Sequence, residues 1–120
     1  MSTRGIDATF FVVKDMTRAR AFYDTILEKE PNTTSEYWAE YELADGATFA
    51  LGYNPGADWR AGAGILLGVD NLTDASERAK KAGGTLTGVE FGGKICKAVE
   101  CIDTEGNYLY FHERFAQPQP

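Results

Sequence analysis

The chain has little of what catalytic and metal centres are usually built from. It holds one histidine, His112, and two cysteines, Cys96 and Cys101, among its 120 residues. Two cysteines and one histidine make a poor zinc set, and no CxxC pair occurs. The cysteines lie on what reads as one strand, five positions apart. They then face opposite sides about 16 Å apart, beyond disulfide reach, so both are expected to be reduced. No apolar run approaches the ~18 residues that a membrane span needs. The N-terminus, "MSTRGID", lacks the apolar core of a secretion signal, so a cytoplasmic location is expected. No run of five basic residues occurs, and nucleic acid is not an expected partner. What the chain does have is acid: its formal net charge is −6. That serves solubility, and it also tolerates a cationic ligand.

Patterning supplies the rest. "IDATFFVV" (6–13) is apolar and β-rich and reads as a strand. "KDMTRARAFYDTILEKE" (14–30) follows with helical spacing, Ala19, Phe22 and Ile26 recurring at three and four. Asp15 or Thr17 can cap its start, and Pro31 is expected to end it. "YWAEYEL" (37–43) and "TFALGY" (48–53) flank a turn at Asp45-Gly46 and form a hairpin. "NPGADWRAGAG" (54–64) is a loop. "GILLGVD" (64–70) is a strand and "LTDASERAKKAGG" (72–84) a helix, with Leu72, Ala75 and Ala79 inward and Gly83 at its end. "GTLTGVEF" (84–91) and "KICKAVECI" (94–102) are strands, and a Glu105-Gly106 turn leads into "NYLYFHE". The tail, "AQPQP", is polar and Pro-rich.

The order repeats. "VVKD" matches "GVDN", and "LADGATFALG" matches "DTEGNYLYFH", offset by 55 to 60 residues. Two βαβββ units in tandem follow from this self-similarity, residues 6–53 and 64–114, joined by loop 54–63 and followed by tail 115–120. The expected fold is α+β, one domain over residues 1–120, with a mixed sheet curved into a cup. Concave, mostly apolar cups bind small molecules.

This arrangement resembles the vicinal oxygen chelate superfamily: glyoxalase I, extradiol dioxygenases, fosfomycin-resistance enzymes and bleomycin-resistance proteins. The specific pieces are "IDATFFVVKDMTRARAFYDTIL", "ILLGVDNLTDASERAKKAGG" and "DTEGNYLYFHE". The last is similar to the family's Asp-Pro-(Asp/Glu)-Gly-Asn turn, with Thr104 in place of proline. The resemblance implies a divalent metal held by the first and last strand of each unit. Those positions fall on Ala8, Gly64, Ala50 and Tyr110. Counting four residues on from Gly46 and from Gly106 reaches Ala50 and Tyr110, which supports that register. Alanine and glycine have no donor atom, and one tyrosine makes no divalent site. A register slip of one gives Asp7, Phe49, Ala63 and Leu109, with a single carboxylate. No metal and no other cofactor is expected.

Along 103–113 Tyr108, Tyr110 and His112 share one strand face, with Leu109 and Phe111 on the other. The tyrosines read as ligand-stacking walls or as acid catalysts. His112 is the natural acid–base candidate, or a polar residue at the fraying end of the last strand, hydrogen-bonded or solvated. Trp59, in a Gly/Ala-rich loop, reads as a lid or as part of a dimer interface. Trp38 shares its face with Glu40 and Glu42, which suits a planar cation, unless those carboxylates face water on an edge strand. Phe10 on the first strand completes the ligand-binding set. The small Ala8, Ala50, Gly64 and Gly68 are expected to widen the cup. Cys96 reads as an inert packed thiol.

The expected function is metal-free binding of a small hydrophobic or aromatic, or cationic, compound, similar to the bleomycin-resistance type of protein. The resemblance implies a homodimer. The alternative is a lyase or dioxygenase relative with an atypical metal set, or with His112 as base.

Overall fold

The computed structural model describes residues 3–55 and 62–120. Trp59 therefore lies outside the described residues, and so does any test of its role. The elements run β1 (Thr3–Val12), α1 (Met16–Leu27), β2 (Thr33–Thr34), β3 (Trp38–Glu42), β4 (Thr48–Gly52), β5 (Ala63–Val69), α2 (Leu72–Lys81), β6 (Thr85–Gly92), β7 (Cys96–Ile102) and β8 (Tyr108–Arg114). This is α+β and reads as βαβββ twice over. The sequence showed only two strands after the first helix. The third, β2, is a two-residue stub of threonines paired with Glu40 and Ala39 of β3, too short for any periodicity to announce.

The chain divides into two compact units, Ala8–Gly64 and a second made of Ile65–Pro120 with the residues up to Asp7. One boundary thus falls inside β1, between Asp7 and Ala8, and the other between Gly64 and Ile65, just past the loop at 54–63. The physical reason for the first lies in Arg4 and Asp7, whose side chains bond to Val69, Asp70 and His112.

In the Ala8–Gly64 unit β1 pairs parallel with β4, with Phe10 opposite Ala50, and β3 pairs antiparallel with β4, with Trp38 opposite Gly52 and Glu40 opposite Ala50. Paired residues share a face. One face buries Ala39, Tyr41 and Leu51 completely, against Met16, Ala19, Tyr23 and Leu27 of α1. The opposite face carries Phe10, Ala50, Trp38 and Glu40. Asp15 caps α1, its carboxylate accepting from the Arg18 amide at 2.9 Å. The helix stops at Leu27, short of the expected 30. Glu28 takes a left-handed conformation (φ 56°) and closes the end with its amide on Asp24 and Thr25, so the break precedes Pro31 and does not depend on it. The inward stripe also differs from the simplest spacing. Phe22 and Ile26 are 58% and 55% exposed, because Tyr23 and Leu27 occupy the face toward the sheet.

In the second unit β5 pairs parallel with β8, with Leu66 opposite Tyr110 and Gly68 opposite His112. β8 pairs antiparallel with β7, and β7 with β6. Phe10–Ala50 and Leu66–Tyr110 are thus equivalent pairs, which confirms the repeat register read from the two glycine turns. α2 is capped by Asn71, whose side chain accepts from the Asp74 amide at 2.9 Å. The Glu113 carboxylate adds a bond from the Leu72 amide at 2.8 Å, an anion at a helix N-terminus where the dipole favours it. Ala75 is buried, Leu72 and Ala79 are half-buried, and Gly83 (φ 98°) turns the chain after the helix. On β6 the register slips between Leu86 and Glu90, around Gly88 at φ 87°. Neither Cys96 nor Cys101 forms a disulfide. Among the described residues no helix is long and apolar enough to cross a membrane.

Candidate functional site

The turn before β8 decides which side chains reach the site. Asp103 Oδ1 accepts from the amides of Glu105 and Asn107, each at 2.8 Å, and Oδ2 accepts from the Asn107 side chain at 3.0 Å. These bonds hold the Asp103 carboxyl below its usual acidity range, the Asn107 amide contributing most. Gly106 takes φ 90°, open to glycine without strain. Thr104 stands exposed in this turn, so the aspartate pins it without a proline. The turn fixes Tyr108 opposite Ile102, Tyr110 opposite Glu100 and His112 opposite Ala98.

Tyr110 is 5% exposed and donates its hydroxyl to Glu100. Glu100, also 5% exposed, accepts a second bond from the Thr87 hydroxyl at 2.8 Å. Phe91 of β6 lies against the Tyr110 ring, centroids 5.4 Å apart. Tyr108 is half-buried on the same face. His112 is 8% exposed, and its Nδ1 lies 2.8 Å from Asp7 Oδ2. Of the two alternatives for a strand-end residue, hydrogen-bonded or solvated, the structure has the first: a carboxylate 105 positions earlier holds the ring.

In the other unit Phe10 is 3% exposed and meets Trp38 edge-on at 5.2 Å. The Trp38 indole N–H donates to Glu40 at 2.8 Å, so this carboxylate does sit beside the indole. β3 is not an edge strand, since β2 lies outside it. Glu42 is exposed.

The small residues do not leave empty space. A Cβ at Gly64 would lie 2.7 Å from Phe10 Cζ, and one at Gly68 would lie 2.6 Å from Asp7 Oδ2. Real side chains do not approach so closely. Gly64 therefore admits the Phe10 ring and Gly68 admits the Asp7 carboxylate. Ala8 and Ala50 are buried, at 3% and 0% exposure. The expected widening at these four positions is replaced by filling from the protein's own groups.

Metal ligation can be tested on the donors present. Ala8, Ala50 and Gly64 offer none, and the Tyr110 hydroxyl is bonded to Glu100. Among the described residues no group of three or more His, Cys, Asp or Glu side chains could hold a metal ion. The family's metal positions in this chain do not fit a divalent cation.

Asp7, Glu100, Thr87 and Phe91 were not read as site residues from the sequence. Glu100 had a signal. The turn at 103–107 sets the β7–β8 register, which places a carboxylate opposite Tyr110 on a strand face otherwise made of Cys96, Ala98 and Ile102. The Asp7–His112 contact had none, because nothing local links residues so far apart.

No protein-family model matches the sequence, and no curated protein matches it. Solved structures do. A protein described as an NAD-dependent benzaldehyde dehydrogenase from Legionella pneumophila superposes with a TM-score of 0.71 at 12% identity, over 90% of this chain and 98% of that one. A glyoxalase/bleomycin resistance protein/dioxygenase superfamily member from Vibrio splendidus gives 0.64 at 14%, over 92% and 98%. The Mn(II)-bound glyoxalase from Novosphingobium aromaticivorans gives 0.62 at 17%, over 99% of this chain and 42% of that one. An extradiol ring-cleaving dioxygenase from B. fuscum gives 0.61 at 17%, and there this chain spans only 34% of the other's length. Identities this low speak to architecture alone. The tandem βαβββ units, their matched strand registers and these superpositions together establish that the chain has the vicinal oxygen chelate fold, the fold of the glyoxalase/bleomycin resistance/dioxygenase proteins.

Proposed function

We propose that this chain binds a small aromatic compound without chelating a metal, in the manner of a sequestering, resistance-type protein rather than a metalloenzyme. The observation that carries this reading is the chemistry of the four family positions. Three have no donor atom, and the fourth, Tyr110, spends its hydroxyl on Glu100. In their place the sheet faces away from the helices carry rings: Phe10 and Trp38 in one unit, Phe91 and Tyr110 in the other. Aromatic side chains give large contact area at low entropic cost, which suits binding of planar molecules. The partners of this reading are the small molecule and a second copy of the chain, and its setting is the cytoplasm. Two measurements test it. Elemental analysis of protein purified without chelators is expected to find no stoichiometric metal, and native mass spectrometry of protein from its own host is expected to show a co-purified organic compound. About one tightly held Ni, Zn, Mn or Fe per chain would overturn the reading.

A further inference from the structure

Asp7 and His112 form a pair that plain binding does not use. Their side chains are 11% and 10% exposed, so the bond between them is largely shielded from water and held in one geometry. An ionised carboxylate can only accept, so Nδ1 carries the hydrogen and the lone pair of the neutral ring lies on Nε2. The position is built for the carboxylate: only a glycine at 68 leaves room for it, since a Cβ there would stand 2.6 Å from Oδ2. Arg4 and Arg114 approach Asp7 at 3.7 and 3.9 Å, and Arg4 also reaches Asp70 at 3.4 Å. Two guanidiniums against two carboxylates leave the surroundings near neutrality, so positive charge arising on the ring meets Asp7 rather than an excess of cations. Nε2 makes no hydrogen bond among the described residues. It is not sealed either, since Arg20 Nε is the one buried side-chain nitrogen or oxygen there that lacks a partner. Tyr110 lies two residues along the same strand face, about 7 Å away, with Phe91 beside it.

We propose that His112 Nε2, its ring held by Asp7, accepts a hydrogen bond from a weakly acidic hydroxyl carried by the aromatic ligand. This rests on the proposed binding of an aromatic compound and names the polar group that the compound bears. If the hydroxyl is acidic enough, its proton passes to Nε2, leaving an aryloxide beside an imidazolium that faces Asp7. No oxidant or second reactant enters. Asp7 acts through the ring and is a positioning residue.

The probes are 2-naphthol and 2-methoxynaphthalene, which share a ring system and differ in the donor. Equilibrium dialysis near neutral pH is expected to show 2-naphthol bound about tenfold more tightly, the scale of one good hydrogen bond to a basic partner. In His112→Gln and in Asp7→Asn the two probes should bind within about twofold of each other. Equal binding of both probes to the unaltered protein would overturn this inference and leave aromatic binding standing. Failure of both to bind would overturn the binding reading and this one with it. A second measurement needs no variant. The chain has a single histidine, so ¹⁵N-detected spectra give one pair of ring signals. The neutral ring is expected with hydrogen on Nδ1, and 2-naphthol should move the Nε2 signal. The opposite tautomer, or an Nε2 signal indifferent to bound 2-naphthol, would refute the proposal.

Discussion

Replacing Gly64 with alanine isolates the packing that fills the place of a family ligand. The added methyl would stand 2.7 Å from Phe10 Cζ, 2.9 Å from Cε1 and 3.3 Å from Cε2. Ordinary contact begins at 3.4 Å, so the ring must retreat by about 0.7 Å. It has little room to do so. Phe10 is 3% exposed and rests on Trp38 at 5.2 Å, and Trp38 in turn is tied to Glu40. Overpacking of this kind costs about 1–3 kcal/mol. Gly64→Ala is therefore expected to lower stability by that amount in urea unfolding, with an unchanged m-value. Phe10→Ala alone should cost about 3–5 kcal/mol. The decisive quantity is the coupling. With the ring gone the three atoms nearest the methyl are gone as well, so the double variant should be more stable than the two single losses added together, by roughly 1–3 kcal/mol. Trp38 emission, read in a Trp59→Phe background, should shift in Gly64→Ala as the ring pushes on the indole. A Gly64→Ala protein of native stability and emission, with strictly additive losses in the double variant, would refute this account of the glycine. The same reasoning sets the outcome of building a metal site: Gly64→His brings a far larger group against Phe10, so it needs Phe10 reduced at the same time.

Further outcomes are equally specific. Tyr110→Glu puts a carboxylate at a family position beside Glu100 and removes a ring; elemental analysis should still find no metal, because two carboxylates fall short of the three or four protein ligands a divalent site uses, and affinity for an aromatic probe should fall. Trp59→Ala should weaken aromatic binding by about 1–3 kcal/mol if the residue contacts the ligand; unchanged affinity with a shift from dimer to monomer in sedimentation would place it in a subunit interface. Burial, with the neighbouring Asp24 carboxylate, pushes the Tyr41 phenol up to about 12. A raised value favours the protonated fold, so this contribution, roughly 3 kcal/mol, is whole below pH about 10 and lost as pH rises through about 12; urea midpoints across that window in native and Tyr41→Phe protein should converge as pH rises. Asp103→Ala should speed hydrogen exchange at the amides of Glu105 and Asn107, which the carboxylate now holds.

The two βαβββ units, their order and the equivalence of Ala50 with Tyr110 were legible because turn chemistry is local. Gly46 and Gly106 announce themselves, and alternation does the rest. The aromatic face of β8 followed from the same count. What stayed hidden depends on side chains meeting across the chain. The period-3.6 pattern fits several stripes on α1, and only packing against β3 and β4 selects Tyr23 and Leu27 over Phe22 and Ile26. The glycines at 64 and 68 looked like lost bulk because composition does not say whose ring or carboxylate occupies the space. The division inside β1 follows from Arg4 and Asp7 bonding to groups over 60 and 100 positions away, which no window of sequence contains.

The slip in β6 also bears on what the protein avoids. A regular outer strand offers a row of unpaired amides and carbonyls on which another chain can lengthen the sheet. Here Gly88 turns left-handed and throws the spacing out of step between Leu86 and Glu90, and Glu90 is drawn onto Lys97 at 2.9 Å. An incoming strand could match the ladder on one side of Gly88 but not on both, and it would meet a charged pair where it tried. Gly88 thus makes this outer strand a poor template for a further strand.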